Sequence, residues 1–351
     1  MMTHCGFTRV RSAIPDRTRV FFERKKRAGI LIFILLSGLV VLFFFFCGSG
    51  FIHIPFLDVL TIMFSHTSEN QLWQDVVFNI RLPRILGSML IGGILAGCGT
   101  LFQAVLLNPL ASPFTLGISS GAAFGGSLAL YLGYQNPVLL AFFWGLASLM
   151  IVILLGGTRK TLHPTRLILS GVIVSSIFSA GISFLKYLFK EEVSSVLFWI
   201  MGSLVGLTWQ NITLLLPFSV ILFIMLGLVS DSLNILCLGD DQALQLGLNP
   251  VFIRLFALII SSFAIAAAVS IGGVIGFVGL IVPHLFRIVI GPDHRLLLPI
   301  SIIGGALLLL VADNIVRAFF QLEIPVGVIT TLLGGPFFCI LLVKSEGQKY
   351  Q

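Results

Sequence analysis

Residue types that could carry chemistry are few in this chain, and they are scattered. The five cysteines (Cys5, Cys47, Cys98, Cys237 and Cys339) include no pair at metal-ligand spacing. Four of them fall in or beside apolar segments, where a thiol acts as a small packing group. The six histidines form no HExxH or related cluster. Gly156-Gly157-Thr158-Arg159-Lys160 has neither the spacing nor the strand context of a phosphate-binding loop. No nucleophile elbow, zinc motif or dinucleotide fingerprint is present. Carboxylates are almost absent from the apolar segments. Asp313, with Arg317 one helical turn later, is the main exception, and the two are spaced for a local ion pair. A transporter driven by a proton or sodium gradient usually needs buried carboxylates or discontinuous ion sites. Their scarcity argues against that mechanism, and with the catalytic and metal motifs missing no enzyme, metal site or cofactor is expected in this chain. If transport here is active, its energy comes from another subunit.

The elements that must position these few groups follow from composition. Of 351 residues, 57% are hydrophobic and 10% charged, and mean hydropathy is +1.09. An average soluble domain has about 25% charged residues. These values exclude a cytosolic enzyme, a disordered chain and a disulfide-stapled module, and they predict an all-α polytopic membrane protein. Apolar stretches of spanning length or near it lie at about 28–47, 85–107, 114–132, 138–156, 167–185, 212–229, 254–274, 276–290, 296–316 and 326–343, giving about ten spans. Residues 48–80 and 186–210 are mixed, and the second region has room for a short surface helix. Ala28–Cys47 is longer than a signal-peptide core and lacks a clean small-x-small site, so it reads as an uncleaved first span.

Charge gives the orientation. Arg9, Arg11, Arg17, Arg19, Arg24, Lys25, Lys26 and Arg27 precede the first span and read as a cytoplasmic anchor rather than a nucleic-acid surface. With the N-terminus inside, Arg159, Lys160, Arg166, Arg254, Arg287, Arg295, Lys344 and Lys349 are also inside. Only Arg81, Arg84, Lys186, Lys190 and Arg317 are outside. Sixteen cations against five fix an N-in, C-in topology, which an even number of spans satisfies. The expected organisation is a basic leader at 1–27, a transmembrane domain at 28–343 and a cytoplasmic tail at 344–351.

Glycine is abundant, with 36 residues, many at small-xxx-small spacing inside spans. Two Gly/Pro interruptions, Asn108–Pro113 and Gly279–His284, fall at comparable places in the two halves. They hint at an inverted repeat of spans 2–5 and 7–10.

Five stretches in order resemble the FecCD family, the permease subunits of type II ABC importers for iron–siderophore complexes, haem and cobalamin. They are Arg81-Leu82-Pro83-Arg84; Asn108–Pro113 with Leu116–Ala122; Leu238–Asp241 through Leu246–Leu248; Gly276–His284 with Asp293-His294-Arg295; and Ala312-Asp313 through Arg317 with Ile324–Gly327. The similarity covers roughly residues 28–343 and leaves out the basic leader. It implies a ten-helix subunit in the bacterial cytoplasmic (inner) membrane, paired with an identical or closely related permease. It also implies two cytoplasmic ATPase subunits, which bind the ATP, and a substrate-binding protein outside.

The resemblance further assigns roles. Arg81, Arg84 and Arg317 would dock acidic residues of the binding protein; the charge count had already put all three outside. Leu238, Gly239, Asp240, Asp241, Ala243, Leu246 and Gly247 would lie in the ATPase-coupling loop at about 233–250. Gly239 and Gly247 bracket a short helix there, with Asp240 placed to favour its start. Ser170, Gly171, Ser175, Ser176 and Ser179 would line the translocation path. The expected cargo is a ferric siderophore, with cobalamin or haem as the alternative. A secondary transporter or channel acting alone, or a membrane scaffold, is the rival from another class.

Overall fold

The computed structural model describes residues 17–65, 70–158, 161–189, 193–320 and 324–347. The start of the leader, Arg159, Lys160, Lys190 and the end of the tail lie outside the described residues. The chain is helical nearly throughout, as backbone in lipid must be when every N–H and C=O has to be satisfied within the protein.

In chain order the helices are α1 (Arg17–Gly48), α2 (Phe56–Ser65) and α3 (Gln71–Asp75), then α4 (Leu82–Val105), α5 (Ile118–Tyr131), α6 (Val138–Gly156), α7 (Pro164–Phe189) and α8 (Val193–Ile200). They continue with α9 (Trp209–Leu236), α10 (Asp240–Gln245), α11 (Pro250–Gly272), α12 (Val278–Ile290), α13 (His294–Phe320) and α14 (Val326–Gly347). A two-stranded antiparallel hairpin, Gly157–Thr158 with Thr161–Leu162, leads into α7.

All ten expected apolar segments are helices: α1, α4 to α7, α9 and α11 to α14. Among the described residues six helices are long and apolar enough to cross a membrane, and the bent α9 makes a seventh. The short helix expected within 186–210 is α8. The leader does not end where the apolar run begins. α1 starts at Arg17, ahead of Ala28, because Arg, Lys and Glu are good helix formers and continue the backbone ladder.

α4 is the central element. The apolar window of the span containing it is 83% buried, against 11% for α1, which is peripheral. α4 packs on α13, α9, α11, α12 and α1. Its contact with α12 is backbone on backbone: a Cβ on Gly99 would sit 1.9 Å from the Gly279 carbonyl oxygen. Only a missing side chain permits that approach.

α4 is entered through a wide turn. Residues Val76–Arg81 form a π-helical segment between α3 and α4, closed by the Leu82 amide on the Val77 carbonyl. Pro83 has no N–H and its ring crowds the carbonyl four residues back, so the wider turn removes the conflict.

The two halves are interrupted as the Gly/Pro pattern implies, but the second interruption is shifted. It lies at 273–277, between α11 and α12, and Gly279–His284 is inside α12 with Pro283 internal to the helix. The close packing of Gly279 on α4 holds this segment helical despite its proline. Each interruption carries a non-glycine residue in the left-handed region, Leu107 at φ 48° and Phe277 at φ 66°. Such backbone persists only where surrounding packing imposes it.

Candidate functional site

Three regions carry the residues singled out from the sequence. They are the first turn of α4 with the end of α13, the α10 loop, and α7.

At the start of α4 the arginines assigned to docking are packed within the chain. Arg81 is 3% exposed and donates to the backbone carbonyls of Cys47 (2.6 Å) and Ile52. It thereby caps the end of α1 and the loop that follows. Arg84 is also buried, and its Nε and Nη2 bind Asp313 Oδ2 and Oδ1 at 2.8 and 2.9 Å. The local Asp313–Arg317 pair is therefore replaced by a bidentate pair across 229 residues of sequence. A guanidinium fork matched to a carboxylate outcompetes a single contact one turn away. Arg317 instead donates to Asn314 Oδ1 (2.6 Å) and the Phe46 carbonyl (3.2 Å), while its buried Nε has no partner among the described residues. Arg317 lies near enough to Arg81, Arg84 and Asp313 to feel their charges. In this arrangement Arg81 and Arg84 are committed to partners within the chain, because a buried cation must be satisfied where it lies.

At the opposite end of the bundle, α10 occupies the interval the two glycines define. Gly239 (φ 113°) and Gly247 (φ 80°) supply the left-handed turns at its ends. Ala243 is fully buried and anchors the helix, whereas Leu238, Leu244 and Leu246 are 57–60% exposed and Asp241 is also exposed. This is an apolar surface outside the spans, of the sort a protein partner covers. Asp240 lies in the first turn of α10 and binds Arg254 through both carboxylate oxygens. A cleft of about 570 Å³ separates α10 from the hairpin, between Leu244 and Leu248 on one side and Thr161 to His163 on the other.

Sequence reasoning treated Arg254 as one more inside cation. In the structure it is completely buried at the start of α11. The start is fixed by Pro250 in the first turn and by the Asn249 side chain accepting the Phe252 amide (3.1 Å). A cation beside a short acidic helix was the available signal, but the positive-inside rule explained it equally well.

α7 presents a broad exposed face. Ser176 and Ser179 lie on it, with Val172, Ile173, Ile177 and Phe184. Ser175 is half-buried and donates to the Phe114 carbonyl (3.4 Å). Ser170 and Gly171 do not lie on that face. Both are buried, and a Cβ on Gly171 would stand 2.0 Å from the Thr115 carbonyl oxygen. Gly171 thereby lets α7 approach the interruption after α4.

Known proteins match this chain along nearly its whole length. Residues 34–344 match the FecCD transport family. The hemin transport system permease protein HmuU of Yersinia pestis is 38% identical over 90% of this chain and 97% of its own. The molybdate import system permease protein MolB of Haemophilus influenzae is 37% identical over 78% of this chain and 82% of its own. A solved inward-facing conformation of a metal-chelate type ABC transporter superposes with a TM-score of 0.81 at 33% identity, covering 90% of this chain and 99% of that one.

Proposed function

The chain belongs to the FecCD transport family and is a multi-pass ABC importer permease whose ATPase is a separate subunit; on that premise we propose that it imports a ferric siderophore across the bacterial cytoplasmic membrane. The observation that carries the ATP-driven reading is α10. It is a short helix outside the spans, anchored by Ala243 and an ion pair, with three exposed leucines facing away from the bundle. Closure of two ATPase subunits on this helix and its counterpart in a second permease copy would tilt the pathway helices and alternate access. The exposed face of α7, with Ser176 and Ser179, is the surface a second permease would meet to enclose the path.

Iron is favoured as cargo because relatives of this chain include haemin and ferric citrate permeases. A molybdate permease at similar identity keeps oxyanions in view as a second cargo class. The binding protein would dock at the end holding Arg81, Arg84 and Arg317. Arg84 is paired with Asp313, and Arg81 and Arg317 add positive charge at the same end, which suits acidic residues on a partner. Arg317 is the half-buried member of the three, so it is the arginine a partner can reach.

Reconstitution of the permease with its ATPase and binding protein in proteoliposomes tests this reading. Uptake of an iron-loaded siderophore should require both ATP and the ATPase, and haem, cobalamin and molybdate serve as competing cargoes. Accumulation by the permease alone would overturn the importer mechanism. Uptake of one of the competitors in place of the siderophore would overturn the cargo.

A further inference from the structure

Arg254 is fully buried, and its donors reach three elements other than its own helix. Its Nε donates to the Val105 carbonyl (2.7 Å), the last residue of α4. Its Nη1 donates to the Leu162 carbonyl (2.8 Å) in the hairpin. Nη1 and Nη2 also bind Asp240 Oδ2 (3.2 Å) and Oδ1 (2.8 Å) at the start of α10. The last carbonyls of a helix have no partner within it, so Arg254 caps the central helix of the bundle. Leu162 stands two residues before α7, the helix that presents Ser176 and Ser179. Asp240 belongs to the helix proposed to receive the ATPase.

We propose that Arg254 is the positioning residue through which movement of α10 reaches α4 and α7, and that the Asp240–Arg254 pair is the joint of that linkage. The inference rests on the importer reading of α10. The planar guanidinium is suited to this task. Its donors leave in fixed directions, so a shift of the carboxylate cannot be absorbed by rotation of one N–H, as a lysine ammonium would allow. Full burial means that water cannot replace a lost bond, so the Val105 and Leu162 carbonyls must follow the guanidinium or go unsatisfied. The carboxylate end is different: the Asp240 side chain is 41% exposed. It can be altered without stranding a fully buried group, while the two carbonyl bonds on the buried side hold.

The linkage is separable from folding, because Asp240 lies at the accessible edge. In the full complex of permease, ATPase and binding protein, D240N keeps the size of the side chain but removes its charge. The measurement is cargo molecules moved per ATP hydrolysed, with ATPase binding to the permease followed in parallel. The expected result is a ratio lowered about fivefold or more with the ATPase still bound, since coupling energies between sites are typically 1–3 kcal/mol. D240E should recover part of the ratio, and R254K should not, as lysine cannot serve all three acceptors at once. An unchanged ratio in D240N overturns the proposal. So does loss of ATPase binding, which would make Asp240 a docking group. If the wild-type complex neither hydrolyses ATP nor moves cargo, the importer reading itself fails and the joint falls with it.

Discussion

The two ends of α4 solve the problem of a buried arginine in opposite ways. At its first turn, Arg84 pairs with Asp313 while Arg81 and Arg317 lean on carbonyls and an asparagine. At its last residue, about 30 Å away along the helix at ~1.5 Å per residue, a single Arg254 meets a carboxylate and two carbonyls. The first site is charge-rich, with one Nε unpartnered among the described residues. The second is charge-balanced and shared among four elements. A surplus of positive charge at a protein's end can be completed by an acidic partner, whereas a balanced hub has nothing to recruit and can only hold its elements together. One buried residue type thus supports a receptive end and a mechanical end on the same helix.

That contrast can be broken most directly at Asp313. D313A would leave the buried Arg84 guanidinium without the carboxylate that binds it, and stability in detergent should fall by about 3–5 kcal/mol, the range for removing one member of a buried pair. A loss below ~1 kcal/mol in thermal unfolding would show that the outer cluster is solvated and not charge-rich. The hub should respond somewhat less. R254M strands the Val105 and Leu162 carbonyls but leaves Asp240 partly in water, and a loss of about 3 kcal/mol is expected from one to three per unsatisfied buried group.

Midway along α4, G99A forces a methyl against the Gly279 carbonyl and should cost about 1–3 kcal/mol through overpacking. If it costs nothing, α4 is not the rigid rod that connects the two ends. The smallest stability effect is expected for R317Q. Removing one of three like charges should shift stability by less than about 1 kcal/mol, yet weaken binding-protein docking more at low salt than at high salt. Salt-independent affinity would remove the receptive character of that end.

Much of the fold was legible in the chain. The ten apolar segments became ten helices, and the helix between Gly239 and Gly247 appeared where those residues required it. The second interruption was misplaced because Pro283 reads as a breaker, whereas packing of Gly279 on Gly99 keeps its neighbourhood helical. The site was less legible. Arg81 and Arg84 sat in the expected region but face inward, and Ser170 and Gly171 pack where Ser176 and Ser179 are exposed.

By itself the sequence determined that this is a polytopic helical protein and how its charges divide along the chain between spans. Those are local properties, because apolar length and cation placement act on each segment separately. Only the tertiary structure decided which charges meet. Arg84 finds Asp313 from the far end of the chain, and Arg254 gathers residues 105, 162 and 240, because helix crossings bring together groups that no spacing along the chain relates. In a medium where a lone charge is costly, that pairing decides what each arginine is for.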